Sequence, residues 1–314
     1  MRPHLRITDE VKEALDAGRP VIALESTIIS HGFPYPANVD SARECERIAR
    51  EEGVVPATIG VIGGQLAVGL SEGEIERLGS NRDTPKASRR DLPMLLATGS
   101  DGATTVAGTM AVAAMAGISV FATGGIGGVH RGAERSFDVS ADLEELRRTS
   151  LAVVSAGAKA VLDIGLTLEY LETRGVPVLG YQTDAFPAFY TRDSGFGVDA
   201  RFETPDDIAA VLQAKWETGL HGGVLVANPI PEEYALDPVE IEEIIAAALA
   251  EVRESGVRGK AITPVLLARI HELTGGASEA SNKALVWSNV RLASNIATAL
   301  AARVRTSHIA GRHQ

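Results

Sequence analysis

Six short runs of apolar and β-branched residues recur along the chain, each separated from the next by a longer amphipathic stretch: VIALES (21–26), ATIGVIGG (57–64), ISVFATG (118–124), LAVVSAG (151–157), VPVLGY (176–181) and GGVLVANP (222–229). Runs this short with little polar alternation read as strands covered on both faces. Parallel neighbours need a crossover, usually a helix, so strands alternating with helices predict an α/β fold. We expect a three-layer α-β-α arrangement with a mostly parallel central sheet and a helical carboxyl-terminal region, running from PVEIEEIIAAALAEVRES to NKALVWSNVRLASNIATALAARVR. The strand spacing is too irregular for an eight-fold barrel. Helix starts are explicit at Thr204-Pro205-Asp206-Asp207, a cap with a first-position proline and acidic residues, and at Ser71 with Glu74, a capping box. With no repeat, linker or composition break in view, one domain is expected over residues 1–314.

Residues 102–129 carry no charge, which invites a membrane reading, but seven glycines interrupt them. They read better as a buried helix (ATTVAGTMAVAAMAG) followed by a strand than as about 20 apolar residues in one spanning helix. MRPHLRITDE has basic residues without an apolar segment behind them and does not read as a secretory leader. Lys plus Arg is 30 against 41 Asp plus Glu, a net charge of -11, which disfavours nucleic acid and anionic membranes as partners. An anionic small molecule would need a local positive pocket. Cys45 is the only cysteine; it excludes an intrachain disulfide or a thiolate metal cluster, suits a reducing cytoplasm, and sits on an amphipathic helix as a core residue.

Standard nucleotide motifs are absent: GGIGGVHRG (124–132) lacks the dinucleotide spacing and GVRGK (256–260) lacks the phosphate-loop form. Gly69-Leu70-Ser71-Glu72-Gly73 has the spacing of a nucleophile elbow, but Ser71 is better used as a helix cap. The richest stretch runs from Thr123 to Leu146. It begins at a strand's carboxyl end, where α/β proteins bind ligands, and its glycines let backbone amides approach an anion. His130, Arg131 and Arg135 would supply positive charge, while Asp138, Ser140 and Asp142 are hard oxygen donors suited to magnesium or manganese. The alternative for Ser140-Ala141-Asp142 is an ordinary helix start. Only six of the 30 basic residues are Lys, and Lys159 lies among small neutral residues in SAGAKAVLDIG, at an expected helix start. Burial and the helix's positive end there would favour a neutral, imine-forming amine, although a solvated lysine fits as well. Lys86, beside Arg89 and Arg90, would hold a phosphate or lie in a soluble loop. Glu25 ends the first strong strand, followed by Ser26, Thr27 and His31; it is a candidate general acid or a capping carboxylate. Asn282 reads as a helix cap unless it reaches a ligand amide.

Taken together, ALESTIISHGFPYPAN, GVIGG, KASRRDL, GATTVAGTM, FATGGIGGVHRGAE, SFDVSADLEEL, GAKAVLDIGLTLEYLET, GYQTDAFPAFY, ANPIP, GKAITPVLL and SNKALVWSNVRLA make the chain closely resemble the pseudouridine-5'-phosphate glycosidase family, related to the indigoidine-cluster A proteins. The resemblance implies an α-β-α trimer that reversibly cleaves pseudouridine 5'-phosphate to uracil and ribose 5-phosphate with a divalent metal, usually manganese. A C–C glycosidic bond has no heteroatom leaving group to protonate, so an electron sink is needed; an imine between the opened ribose and a lysine provides it. By resemblance Lys159 is the nucleophile, Glu25 the proton donor and Asp138 the metal ligand. Lys86, Val106, Ser140, Ala141 and Asp142 match substrate contacts. Thr123, His130 and Asn282 are added to the phosphate and base pocket. The competing readings are a Schiff-base lyase or aldolase on another sugar phosphate, and a non-catalytic sugar-phosphate sensor.

Overall fold

Each of the six apolar runs forms a strand in the computed structural model, which describes residues 3–255 and 262–310. The chain opens with β1 (Leu5–Ile7), α1 (Asp9–Asp16), β2 (Val21–Leu24), α2 (Thr27–His31), α3 (Ala37–Glu51), β3 (Val55–Ile62), β4 (Gln65–Val68) and α4 (Glu72–Ser80). It continues through β5 (Lys86–Ala87), α5 (Leu92–Thr98), β6 (Gly102–Thr104), α6 (Val106–Ala116), β7 (Val120–Ala122), β8 (Val129–His130), α7 (Ala133–Ser136) and α8 (Ala141–Arg148). Next come β9 (Ala152–Ser155), β10 (Leu162–Asp163), α9 (Ile164–Thr173), β11 (Val178–Tyr181), β12 (Ala200–Phe202), α10 (Pro205–Glu217) and β13 (Val224–Ala227). Three helices finish the described chain: α11 (Pro238–Ser255), α12 (Ile262–Leu273) and α13 (Ala277–Ala310).

The main sheet runs β1-β4-β3-β2-β7-β9-β13-β11-β12, with β6 against β3 and β5 against β6. From β3 through β2, β7, β9, β13 and β11 to β12 every pairing is parallel. Antiparallel contacts occur where β3 continues past β2 to meet β4 and β6. Helices α3, α10 and α13 pack together on one face, α13 crossing β2, β7 and β9, while α6 lies against β2 and β3 with α8 beside it. The fully buried β2, β9 and β13 explain their lack of polar alternation.

Both helix starts hold. Thr204 Oγ1 accepts from the Asp207 N–H with Pro205 in the first turn, and Ser71 and Glu74 form both halves of their capping box, which accounts for the elbow-like spacing. Cys45 is buried in the core. Two boundaries differ from the reading of the sequence. Gly102–Thr104 is a strand, not the head of a helix, because Thr105 caps α6 by accepting from the Gly108 N–H. Lys159 does not start a helix: it lies in the loop after β9, and the next helix begins at Ile164, where Asp163 accepts from the Leu166 N–H. GVRGK (256–260), with Lys260, lies outside the described residues. Among the described residues no helix is long and apolar enough to cross a membrane.

Candidate active site

Three adjacent strands, β2, β7 and β9, end side by side, and a candidate site residue follows each. Glu25 comes directly after β2, Thr123 directly after β7, and Lys159 four residues past β9. A carboxyl end shared by neighbouring parallel strands is where this architecture opens a crevice. Ser26 and Thr27, beside Glu25, are spent on the fold: the Thr104 N–H donates to Ser26 Oγ at 2.8 Å and Thr27 Oγ1 donates to the Thr104 carbonyl at 2.8 Å. Glu25 is thereby held rigidly at the start of α2.

Burial drives the Glu25 carboxyl above the usual carboxylate range. The Lys159 charge and a hydrogen bond from Thr123 Oγ1 pull it down without cancelling the effect, Asp142 pushes it up again, and Lys86 pulls it down. Behind the carboxyl lies a small cavity walled largely by Leu24, Ile28, Ala42, Cys45 and Val286, which supplies the apolar surroundings. Thr123 is itself braced from α13. Asn289 Nδ2 donates to the Thr123 carbonyl at 2.8 Å, and Asn289 Oδ1 accepts from Asn228 at 2.9 Å.

In front of Glu25 opens a cavity of about 610 Å³. Glu25, Lys86 and Lys159 line its inner end, and His130, Asp138, Ser140, Ala141 and Asp142 line one side. Of the two positive clusters the sequence offered, Lys86 with Arg89 and Arg90 lines this cavity, whereas His130 alone of the other does. Arg131 is turned to Glu242 in a two-pronged ion pair at 2.6 and 3.1 Å, and Arg135 projects into solvent, so neither lines this cavity. Arg89, Arg90 and Arg148 do, with Arg89 held by both oxygens of the buried Glu145.

Asp142 has a defined structural duty. Its Oδ1 accepts from the Ala107 N–H at 2.9 Å and its Oδ2 from the Gly127 N–H at 2.8 Å, clamping the start of α6 to the glycine-rich loop. A carboxylate at a helix amino terminus is favoured by the helix dipole. The loop must be glycine here, since a Cβ on Gly127 would stand 2.2 Å from Ser140 Oγ and 2.7 Å from Asp142 Oδ2. Ser140 does start a helix, accepting from the Asp142 N–H at 3.2 Å, so its structural and pocket-lining placements coexist. Val106 opens α6 with its side chain in the core; Thr105, its neighbour, faces the cavity.

A narrower chamber opens from the same inner end. Glu25, Thr27, Lys86 and Lys159 line both spaces, and the chamber adds His31, Phe189, Leu267 and Asn282. Asn282 is not a helix cap: it lies inside α13, buried, with its Oδ1 close to Gly124. Asn282, Val286 and Asn289 fall at i, i+4 and i+7 on one face of that helix. That spacing is the one trace Asn289 leaves in the sequence, and the apolar residues on the other sides of α13 mask it.

Asp138 has its backbone fixed, its carbonyl accepting from the His130 N–H at 3.0 Å and its N–H donating to Ser136 Oγ at 3.2 Å. Among the described residues no group of three or more His, Cys, Asp or Glu side chains is arranged around a metal. Asp138 would offer a single carboxylate to a hard ion that keeps most of its own waters. It does not fit a closed protein cage.

The family described as "Indigoidine synthase A like protein" matches residues 10–299. A pseudouridine-5'-phosphate glycosidase of Hahella chejuensis is 60% identical over 298 residues, 95% of this chain and 98% of that protein. One of Caldanaerobacter subterraneus subsp. tengcongensis is 57% identical, covering 96% of this chain and 98% of its own length. Among solved structures, the prealnumycin C-glycosynthase AlnA in complex with ribulose 5-phosphate superposes with a TM-score of 0.90 at 42% identity, covering 98% of this chain and 100% of that one. An indigoidine synthase A-like protein of Thermotoga maritima gives 0.86 at 36% identity, over 95% and 96% of the two chains.

Proposed function

The chain belongs to the family of pseudouridine-5'-phosphate glycosidases and indigoidine synthase A-like proteins, and we propose that it reversibly cleaves pseudouridine 5'-phosphate to uracil and ribose 5-phosphate. One observation carries the reading beyond the relatives' names: a buried carboxyl and two lysines line both a wide cavity carrying several charged side chains and a narrow chamber beside it. The wide cavity, with Arg89, Arg90 and Arg148, takes the sugar phosphate, and the chamber takes the base. The ribulose 5-phosphate held by AlnA supports a pentose phosphate as the ligand class.

Glu25, whose burial favours the protonated form, gives its proton to the base carbon. The Lys159 amine bonds to C1 of the ribose as the bond from C1 to the ring oxygen breaks, and the proton that the nitrogen sheds passes to that oxygen, leaving the sugar open. Its nitrogen lone pair then becomes the C=N bond, the C–C bond breaks, and C5 of uracil leaves with that bond's electron pair and the proton from Glu25. Water adds to the imine and returns the free amine and ribose 5-phosphate. Asp138 is the residue that would hold a divalent ion, manganese by the family's habit, and such an ion supplies charge neutralisation at phosphate oxygens. Lys86, at the mouth shared by the two spaces, steadies the sugar end, with Ser140 and His130 beside it.

Chromatography with mass detection tests this on purified protein with manganese and pseudouridine 5'-phosphate, using uridine 5'-phosphate as the N-glycoside control. Uracil and ribose 5-phosphate are expected from the C-glycoside alone. No turnover of either nucleotide would overturn the proposal, and turnover of other sugar phosphates without uracil release would favour a Schiff-base lyase. We also propose a homotrimer, read as three times the chain mass by light scattering; a monomer mass would remove it.

A further inference from the structure

His31 belongs to no catalytic step described above, yet it walls the narrow chamber with Glu25, Lys159 and Asn282. Its Nε2 lies 2.9 Å from the Thr84 carbonyl oxygen. A carbonyl can only accept, so Nε2 carries the ring hydrogen and the neutral ring keeps its lone pair on Nδ1. Half-burial disfavours the charged ring and the nearby Lys86 charge adds to that, outweighing the Thr84 carbonyl. Among the described residues no group bonds Nδ1, and it is not among the buried polar atoms that lack partners. It is therefore an accessible acceptor on a residue that walls the chamber, its tautomer set by the Thr84 backbone carbonyl.

We propose that His31 selects the C-glycoside by accepting the ring N1–H of the base. A uracil ring joined to sugar through C5 keeps a hydrogen on N1, whereas one joined through N1 has none. A fixed acceptor thus gains a bond with the first and meets no donor on the second. A site built around a hydrogen bond rejects the analogue lacking it far more strongly than an apolar wall does. Asn282, with both a donor and an acceptor, is left to read the remaining amide edge. This rests on the assignment of the chamber to the base in the proposed function.

The test compares kcat/KM for pseudouridine 5'-phosphate, its N1-methyl analogue and its N3-methyl analogue, in the wild-type protein and in His31→Ala and His31→Asn. His31→Ala also cuts the tether to Thr84, but any loss common to all substrates cancels in the ratios. The wild type is expected to disfavour the N1-methyl analogue by about 10²-fold, falling to within about threefold in His31→Ala, with His31→Asn, which keeps an acceptor, in between. The N3-methyl ratio should stay unchanged. An N1-methyl ratio equal in wild type and His31→Ala, or a response confined to the N3-methyl analogue, overturns the role of His31. Wild-type protein that fails to cleave pseudouridine 5'-phosphate itself overturns the underlying reading instead.

Discussion

At Glu25 the buried setting decides the chemistry before any substrate arrives. In the cleavage direction it must be protonated, and its carboxyl titrates above the usual range, so activity should fall as pH rises through that elevated value. Thr123→Val removes a hydrogen bond that favours the ionised form, which raises the value further and moves this alkaline limb to higher pH; Thr123→Ser should leave it in place. A limb that ignores Thr123→Val would dissociate it from Glu25. Glu25→Gln should lower kcat by about 10²- to 10⁴-fold with KM little changed, and an unchanged kcat would end the acid role. Lys159→Ala should abolish turnover while substrate still binds. The companion measurement is borohydride reduction with ribose 5-phosphate followed by peptide mass spectrometry, where a sugar adduct on any lysine other than Lys159 would reassign the nucleophile. Lys159 was legible because lysine is scarce in an arginine-biased chain, although its place in a loop was not. The Asn228–Asn289–Thr123 bonds were not legible, since they join residues 61 and 166 positions apart, the second by way of a backbone carbonyl that carries no residue identity.

Elements hold these residues through a few clamps, of which Asp142 is the clearest. One carboxylate joins α8, the first turn of α6 and the glycine-rich loop. Asp142→Asn keeps the shape but turns an amide donor toward one of two backbone N–H groups, leaving it without an acceptor. Burying that mismatch should cost about 1–3 kcal/mol in urea unfolding, and activity should fall with the loop's displacement. Stability equal to wild type would mean the clamp is dispensable. The long buried strands and the capped helices could be read in advance because burial on both faces and cap chemistry are local signals. The strands β5, β6, β8 and β10 could not, having only two or three residues each and a partner that comes from elsewhere in the fold. The site-facing stripe on α13 was hidden for a related reason: the helix packs against α3, α10 and the sheet, so its apolar residues lie on several sides and no single polar face stands out.

For the molecule as a whole, charge is the constraint. On the proposed function a chain of net charge -11 has to bind a phosphate dianion, and the cavity assigned to it is itself nearly balanced. Lys86, Arg89, Arg90, Arg148 and Lys159 face Asp138, Asp142, Glu144 and Glu145, with Glu25 taken as the neutral acid of the proposed mechanism, and Glu144 and Glu145 already engage Arg148 and Arg89. The five cations exceed the four carboxylates by one, so a phosphate dianion entering this cavity leaves one negative charge in excess, which is the imbalance a divalent ion at Asp138 would remove. The ion would be held by one carboxylate, waters and the substrate itself, so its retention without substrate should be weak. Dialysis against a chelator should silence turnover without unfolding the protein, and added manganese should restore it. Asp138→Asn should need a higher manganese concentration for half-maximal activity while its thermal unfolding stays at the wild-type temperature. Full activity in chelator, or an Asp138→Asn variant with an unchanged manganese requirement, would mean that the arginines and lysines suffice for the phosphate and that Asp138 only shapes its loop.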